Sequence, residues 1–318
     1  MSDMSLEQVV RRRLKLRELR ILMEVVESGS MGKAAERLSM SQPVVSKAVA
    51  SLEHTLGAKL LDRTARGVEP TTSGRIAIKC GVSVFDDLRQ AIEEIELAAD
   101  PTAGTVRIGC VEPEFAGIVS AVIDRMTARY PRIVFHISAV PHNRRYQELE
   151  ARSVDLLLAG MYESEVHDHV QVEQLYSEPV LVTVGVSSPW AKRRRVRLAD
   201  LAEEPWALPA PGAFVTEVVA RAFREINLPA PSPVAVCSSD KRISLLASGR
   251  LVTAVPGAMV RVSGRRLSIK ALPIDLKTEL RSTGIFTLKG RSLSPVAQLF
   301  IDTARAIAKP LGSGQAWR

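Results

Sequence analysis

Residues 31–50 read MGKAAERLSMSQPVVSKAVA, a stretch that holds two helix starts and a tight break between them. A short helix is expected over residues 32–38, with Ser30 or Met31 near its start, and a second over residues 43–56, ended by Gly57. Ser41 can cap the second helix, and Pro43 suits its first turn, where a missing N–H costs nothing. Small Ala35 lets the second helix cross close over the first, and apolar Val45 closes the contact. Helices crossing in this way place the second in the major groove of DNA with its N-terminal residues toward base edges. Ser41, Gln42, Pro43, Ser46 and Lys47 are then the reading residues, with Ser30 and Lys33 joining them from the start of the first helix. Gln42 can pair bidentately with adenine, Pro43 offers apolar surface to a thymine methyl, and Lys47 reaches a guanine edge or a phosphate.

A helical hairpin with polar residues also occurs in ordinary bundles, so its flanks decide the reading. Upstream, Leu16, Leu19, Leu22, Met23 and Val26 recur at three- and four-residue steps until Ser28-Gly29-Ser30 stops the pattern. Downstream, LLDRTARGVEPTTSG at 60–74 joins a short apolar run to a basic, Gly- and Pro-containing hairpin, which reads as a wing. Arg63 and Arg66 in it would neutralise backbone phosphates, contacts that position a protein without specifying sequence.

From residue 72 to about 98 one long helix is expected, with Ser73 as its cap and a length of about 40 Å. Ile78, Phe85 and Ile92 are spaced by sevens, and Leu88 and Ile95 follow the last two by three, which makes an a/d seam. One reading packs this helix on its own domain's core. The favoured reading is a seam between two copies, because the stripe is narrow and flanked by Asp86, Asp87, Arg89, Glu93, Glu94 and Glu96. Beyond DPTAG at 100–104 the texture changes to strands separated by helices, which implies parallel βαβ units. A long middle run of strands at 172–186 and a late strand, TGIFTL, suit a chain that leaves one α/β lobe for a second and then returns.

The 318 residues are 46% hydrophobic and 25% charged, enough for several cores and unlike a disordered or disulfide-stapled chain. Of the net charge of +8, half falls in residues 1–75, which hold 13 Lys and Arg against 9 Asp and Glu. Cys80, Cys110 and Cys237 are too far apart in sequence for a CxxC pair or zinc knuckle, and their odd number argues for a reducing cytoplasm. Neither a signal-peptide core nor an apolar run of membrane-spanning length is present, so no membrane is expected. The sequence carries no GxSxG, HExxH, Walker or dinucleotide fingerprint, and no enzyme, cofactor or metal is expected.

From 19 to 74 the sequence closely resembles the LysR-type transcriptional regulators. Ala34-Ala35, Ser41-Gln42-Pro43, Ser46, Leu52-Glu53, Leu56-Gly57, Leu60-Leu61 with Arg63, and Thr71 with Gly74 carry the likeness. Gly32, where the family commonly has Ser or Thr, and Lys47, where Arg is frequent, depart from it. The resemblance implies a winged helix-turn-helix DNA-binding domain over 14–71, a dimerising linker helix over 72–100, and a two-lobed α/β effector domain over 104–318 that resembles periplasmic binding proteins. It implies four partners: double-stranded DNA, further copies of the chain in a homodimer and homotetramer, a small-molecule effector, and RNA polymerase.

Ligands of open α/β sheets bind beyond the carboxyl ends of strands. That rule nominates Cys110, Val111 and Glu112 after one strand, Pro141 and His142 after the next, then Gly212, Ala213, Ser238 and Ser239 for the effector. Glu112 and Glu114 sit where a helix start would greet an anion. Either they cap the helix and point away, or the ligand is neutral and polar. Arg144 and Arg145 read as a solvated pair that could add positive charge beside His142. The run at 192–195 reads as a solvated loop, with a second phosphate-binding surface as its alternative. A redox sensor on the same scaffold, using Cys110 and Cys237, is the competing function.

Overall fold

The computed structural model describes residues 14–64, 67–100, 102–161, 168–277 and 280–312, with backbone alone for Arg63, Thr64 and His142. The chain divides into two compact units, Met1–Ala91 and Ile92–Arg318. In the first, α1 (Leu16–Ser28), α2 (Met31–Arg37) and α3 (Gln42–Leu56) precede a two-stranded wing, β1 (Leu61–Thr64) and β2 (Gly67–Pro70), and α4 (Thr72–Ala99) begins there and runs past the boundary at Ala91. Of the expected apolar positions, Leu19, Leu22, Ala35 and Val45 lie in its core with Val25, Ala34, Val49, Leu52 and Leu60, whereas Met23 and Val26 are half-buried and Leu16 is exposed. Gly29 and Gly57 end α1 and α3 in the left-handed conformation that glycine adopts without strain.

The wing is tied back at two places. Val68 N–H donates to Gly29 O at 3.0 Å, and a Cβ at Gly67 would lie 2.4 Å from that same carbonyl oxygen. With φ at +130°, position 67 therefore requires glycine twice over. Glu53, one helix earlier, accepts the N–H groups of Leu60 and Leu61 at 2.7 and 3.3 Å and fixes where β1 begins.

Two expected caps differ. Ser41 has the extended backbone of an N-cap, but its side chain makes no capping bond. Pro43 removes one N–H that could have reached it, and Val44 N–H bonds the Ser41 carbonyl instead. Ser73 lies inside α4, and the capping oxygen is Thr71 Oγ1, which accepts from Gly74 N–H at 3.0 Å.

The second unit holds two five-stranded sheets. The first is ordered β4-β3-β5-β12-β6, from β3 (Ala103–Cys110), β4 (Arg132–Ala139), β5 (Leu156–Gly160), β6 (Val170–Glu178) and β12 (Arg281–Leu288). The second is ordered β11-β7-β10-β8-β9, from β7 (Val180–Gly185), β8 (Trp206–Leu208), β9 (Pro233–Val236), β10 (Val252–Pro256) and β11 (Ile269–Ala271). The βαβ expectation gives the parallel pairs β3–β4, β3–β5, β8–β9 and β8–β10, while β7 and β12 run antiparallel to their neighbours.

Each lobe has its own core. In the first, Val106, Ile108, Ile118, Val122, Leu156 and Leu158 meet Phe300 and Ala304 of the last helix. In the second, Trp206 stands edge-on to Phe223, 5.8 Å between centroids, among Val182, Leu201, Val219 and Ala254. The chain crosses between lobes at Pro179, between β6 and β7, and returns between β11 and β12. Both crossings carry buried charge, for Glu178 and Arg281 face each other across the β6–β12 ladder.

After β3 the chain forms a turn over Glu112–Glu114, a π turn over Phe115–Val119 and α5 over Ser120–Thr127. Around residue 145, α6 (Arg145–Glu150) contains a surprise for the solvated-pair reading. Arg144 is exposed, but Arg145 is buried over the rings of Tyr146 and Phe286, 4.9 and 5.7 Å from their centroids. A guanidinium is weakly hydrated and stacks on aromatic faces, so it tolerates this site. The remaining helices are α7 (Phe214–Glu225), α8 (Ser239–Leu246), α9 (Gly257–Ser263) and α10 (Pro295–Ala308).

Candidate functional site

The first candidate surface is the exposed face of α3. Val45, Val49 and Leu52 bury one side of the helix, which turns Ser41, Gln42, Pro43, Val44 and Lys47 to the surface and leaves Ser46 half-buried. Val44, 46% exposed at the tip of the helix, was not among the residues read from the sequence. Its neighbour Val45 carried the packing signal, and one apolar residue beside another gives no hint of facing outward. Ser30 caps α2, its Oγ accepting from Lys33 N–H at 3.1 Å, and the Lys33 side chain is exposed. Glu24, bonded to Ser28 and to Arg37 at 3.2 Å and held below its ordinary pKa by those two contacts, locks α1 to α2. Arg66 and the side chain of Arg63 lie outside the described residues.

The seam residues of α4 separate into two sets. Ile78 and Phe85 are half-buried against the core of the first unit, and Arg20 lies 5.9 Å over the Phe85 ring. Leu88, Ile92 and Ile95 are 43%, 56% and 70% exposed. The own-core reading of the stripe therefore holds for Ile78 and Phe85, while Leu88, Ile92 and Ile95 lie on the exposed face of the helix.

The second candidate site is a cavity of about 470 Å³ between the lobes of the effector unit. Cys110 and Ala139, which end the parallel strands β3 and β4, line it from the first lobe, together with Glu112, Phe115, Ala116 and Ile137. Ser239, Asp240 and Ile243 of α8 face them from the second lobe, and Met259, Arg266 and Leu267 complete the wall. Of the nominated residues, Cys110, Glu112 and Ser239 meet here. Val111 packs beside Val140, Leu149 and Leu157 instead, and Pro141, Gly212, Ala213 and Ser238 lie off the cavity wall. The His142 side chain is outside the description. Met259 and Arg266 gave no sequence signal, since they come from a short helix and the turn after it.

The polar contacts of this cleft are specific. Ser239 N–H, at the start of α8, donates across the lobes to Glu112 Oε2 at 3.0 Å. Ser239 Oγ accepts from Arg242 at 3.0 Å, and Arg242 also donates to Thr253 Oγ1 and Ala254 O. Burial lowers the pKa of Arg242. Glu114 points away from the cavity and pairs, buried, with Arg281. Arg266 donates to Ser120 Oγ and Ser263 Oγ at 2.7 and 3.2 Å. Cys110 is buried, which together with the nearby Glu114 charge pushes its thiol up to about 12. Among the described residues no group of three or more His, Cys, Asp or Glu could hold a metal, and no helix is long and apolar enough to cross a membrane.

Residues 16–75 match the model described as bacterial regulatory helix-turn-helix protein, lysR family, and residues 99–309 match the LysR substrate binding domain. The chain belongs to the LysR family. This LysR-type protein is 28% identical over 301 residues to the HTH-type transcriptional regulator GbpR of Azospirillum brasilense, covering 92% of this chain and 86% of that one. It shares its fold with CbnR in complex with its target DNA, at a TM-score of 0.60, 19% identity, and 92% and 99% of the two chains. A full-length OxyR variant from Pseudomonas aeruginosa matches at a TM-score of 0.63, 19% identity, and 93% and 96% coverage. The protein is accordingly a DNA-binding transcriptional regulator with a substrate-binding domain, built as a winged helix-turn-helix, a linker helix and a two-lobed α/β unit.

Proposed function

We propose that this LysR-type regulator reads DNA with the tip of α3 and responds to a small molecule held between its lobes. The exposed, uncommitted set Ser41, Gln42, Pro43, Val44 and Lys47 at one helix N-terminus supports the first part, because those side chains are not needed by the fold. Gln42 and Lys47 address base edges, Pro43 and Val44 offer apolar surface to a thymine methyl, and Ser30, Lys33, Ser46, Arg63 and Arg66 serve the backbone. The cleft lined by Cys110, Glu112 and Ser239 holds the effector, and a change in lobe closure shifts the placement of subunits on DNA. The protein works in the cytoplasm as a dimer joined by Leu88, Ile92 and Ile95, paired into a tetramer, acts on RNA polymerase, and catalyses nothing.

Binding to the chain's own upstream region tests the reading surface. Gln42→Ala should cost about 1–3 kcal/mol and relax preference at one base pair. Lys47→Ala should weaken binding and lower the salt slope by about one unit if it sits on phosphate, or relax one base pair if it reads guanine. Binding that ignores salt and both substitutions would remove α3 from the interface.

A further inference from the structure

The cleft wall carries two exposed carboxylates, Glu112 and Asp240, and one guanidinium, Arg266, which is engaged by the hydroxyls of Ser120 and Ser263. Its body is apolar, from Phe115, Ile137, Ile243, Met259 and Leu267, so a ligand that fills it has an apolar body. In most two-lobed sites a helix N-terminus is the natural seat for an anion, and α8 presents one here, with the buried guanidinium of Arg242 beneath Ser239. That seat is taken. Glu112 reaches over from the other lobe and puts Oε2 on the Ser239 N–H at 3.0 Å.

A tethered carboxylate competes with any free one at a high effective concentration, so an acid must displace Glu112 before it can bind the α8 terminus. Glu112 Oε1 accepts no hydrogen bond among the described residues, and Asp240, whose Oδ1 accepts from Ser238 Oγ–H, lines the same cavity. An ionised carboxylate accepts about four hydrogen bonds, so the wall offers spare acceptors. We infer that the effector is an amine on a compact apolar body, its ammonium bound by Glu112 while Glu112 holds the α8 terminus and the two lobes together. This rests on the cleft being the effector site, as proposed above. Glu112 is then both ligand contact and latch, and amine binding favours the closed arrangement because the ammonium orders the carboxylate that spans the gap.

Thermal shift of the full chain with 2-phenylethylamine and with 3-phenylpropanoate, which share a body and differ in the sign of the head group, tests this. The wild-type chain should be stabilised by the amine and not by the acid at equal concentration. Glu112→Gln keeps the shape, removes the charge, and should weaken the amine about tenfold. Glu112→Ala vacates Ser239 N–H and should make the chain respond to the acid. A wild-type response to the acid equal to that for the amine, an amine response unchanged in Glu112→Gln, or wild-type silence toward the amine each overturns the ligand class. Where one of those three results is found and the acid still stabilises the wild type or Glu112→Ala, the cleft stands as an effector site and only the amine falls. Silence of all three proteins toward both probes removes the cleft reading as well.

Discussion

Asp155 shows how much one buried charge can hold. Its carboxylate accepts from Arg107 N–H and the Arg107 guanidinium, both at 2.8 Å, and from Arg291 Nη2 at 2.7 Å, joining β3, β5 and the segment before α10. Burial alone would raise its pKa, but the Arg107 bonds and the two guanidinium charges hold it below the ordinary 3.8. A depressed carboxylate contributes stability above its unfolded pKa that is lost as pH falls through the folded one, so this contribution is complete at neutral pH and begins to decline only as pH falls to about 4. Asp155→Asn should cost about 3–5 kcal/mol in urea unfolding at pH 7, since it leaves two guanidinium groups without their counter-charge. Cys110 is the opposite case. With a thiol pushed to about 12 it has almost no thiolate at pH 8, and mild peroxide should leave it unmodified in the folded chain while the exposed Cys80 is oxidised. Sulfenate on Cys110, read by mass spectrometry, would restore the redox reading that its strand-end position suggested.

At the scale of elements, α4 separates what a heptad pattern can and cannot say. The spacing of Ile78, Phe85, Leu88, Ile92 and Ile95 specifies a stripe, but a stripe does not name its partner. Ile78 and Phe85 are claimed by the first unit's core, and only Leu88, Ile92 and Ile95 are left open. Placing glutamate at Leu88 or Ile92 should weaken self-association by more than about tenfold in sedimentation equilibrium while leaving the helical content unchanged. Ile78→Glu should instead unfold the head, because its neighbours belong to the same chain. Elsewhere, legibility followed the length of the repeating pattern. The helices of the head were readable because apolar spacing and the glycine stops at 29 and 57 agree over many residues. The three-residue β11 and the helix α9, which opens on Pro256-Gly257, gave no repeat to read. Strand ends found Cys110, Glu112 and Ser239, since that rule is local, but Ile137, Met259 and Arg266 join the cavity through contacts between lobes that no local pattern carries.

In the effector unit as a whole, two crossings join the lobes, and both pass one charged knot. Glu178 ends β6 just before the first crossing, and Arg281 begins β12 just after the second. Glu178 accepts from Ala258 N–H at 2.6 Å and from Thr283 Oγ1 at 3.2 Å, while Arg281 turns to Glu114 and lies 5.9 Å over the Phe214 ring of the second lobe. Burial is the largest influence on Glu178. The Ala258 bond and Arg281 oppose it, Glu114 adds to it, and the carboxyl ends at about 7, with Tyr176 beside it also raised by burial. Because the folded pKa lies above the ordinary 4.5, the folded unit prefers the protonated acid. Its stability contribution is full below about pH 4.5 and declines as pH rises toward 7, opposite in sign to that of Asp155. Glu178→Gln can keep both bonds, its carbonyl toward Ala258 N–H and its amide toward Thr283 Oγ1, without a charge to desolvate. The substituted chain should therefore be more stable at pH 8 by on the order of 2 kcal/mol and should lose the decline between pH 4.5 and 7 in urea unfolding. An unchanged pH profile would mean that Arg281 neutralises Glu178 fully in the folded chain, and the knot would then be a permanent ion pair at the hinge of the lobes rather than a titrating one.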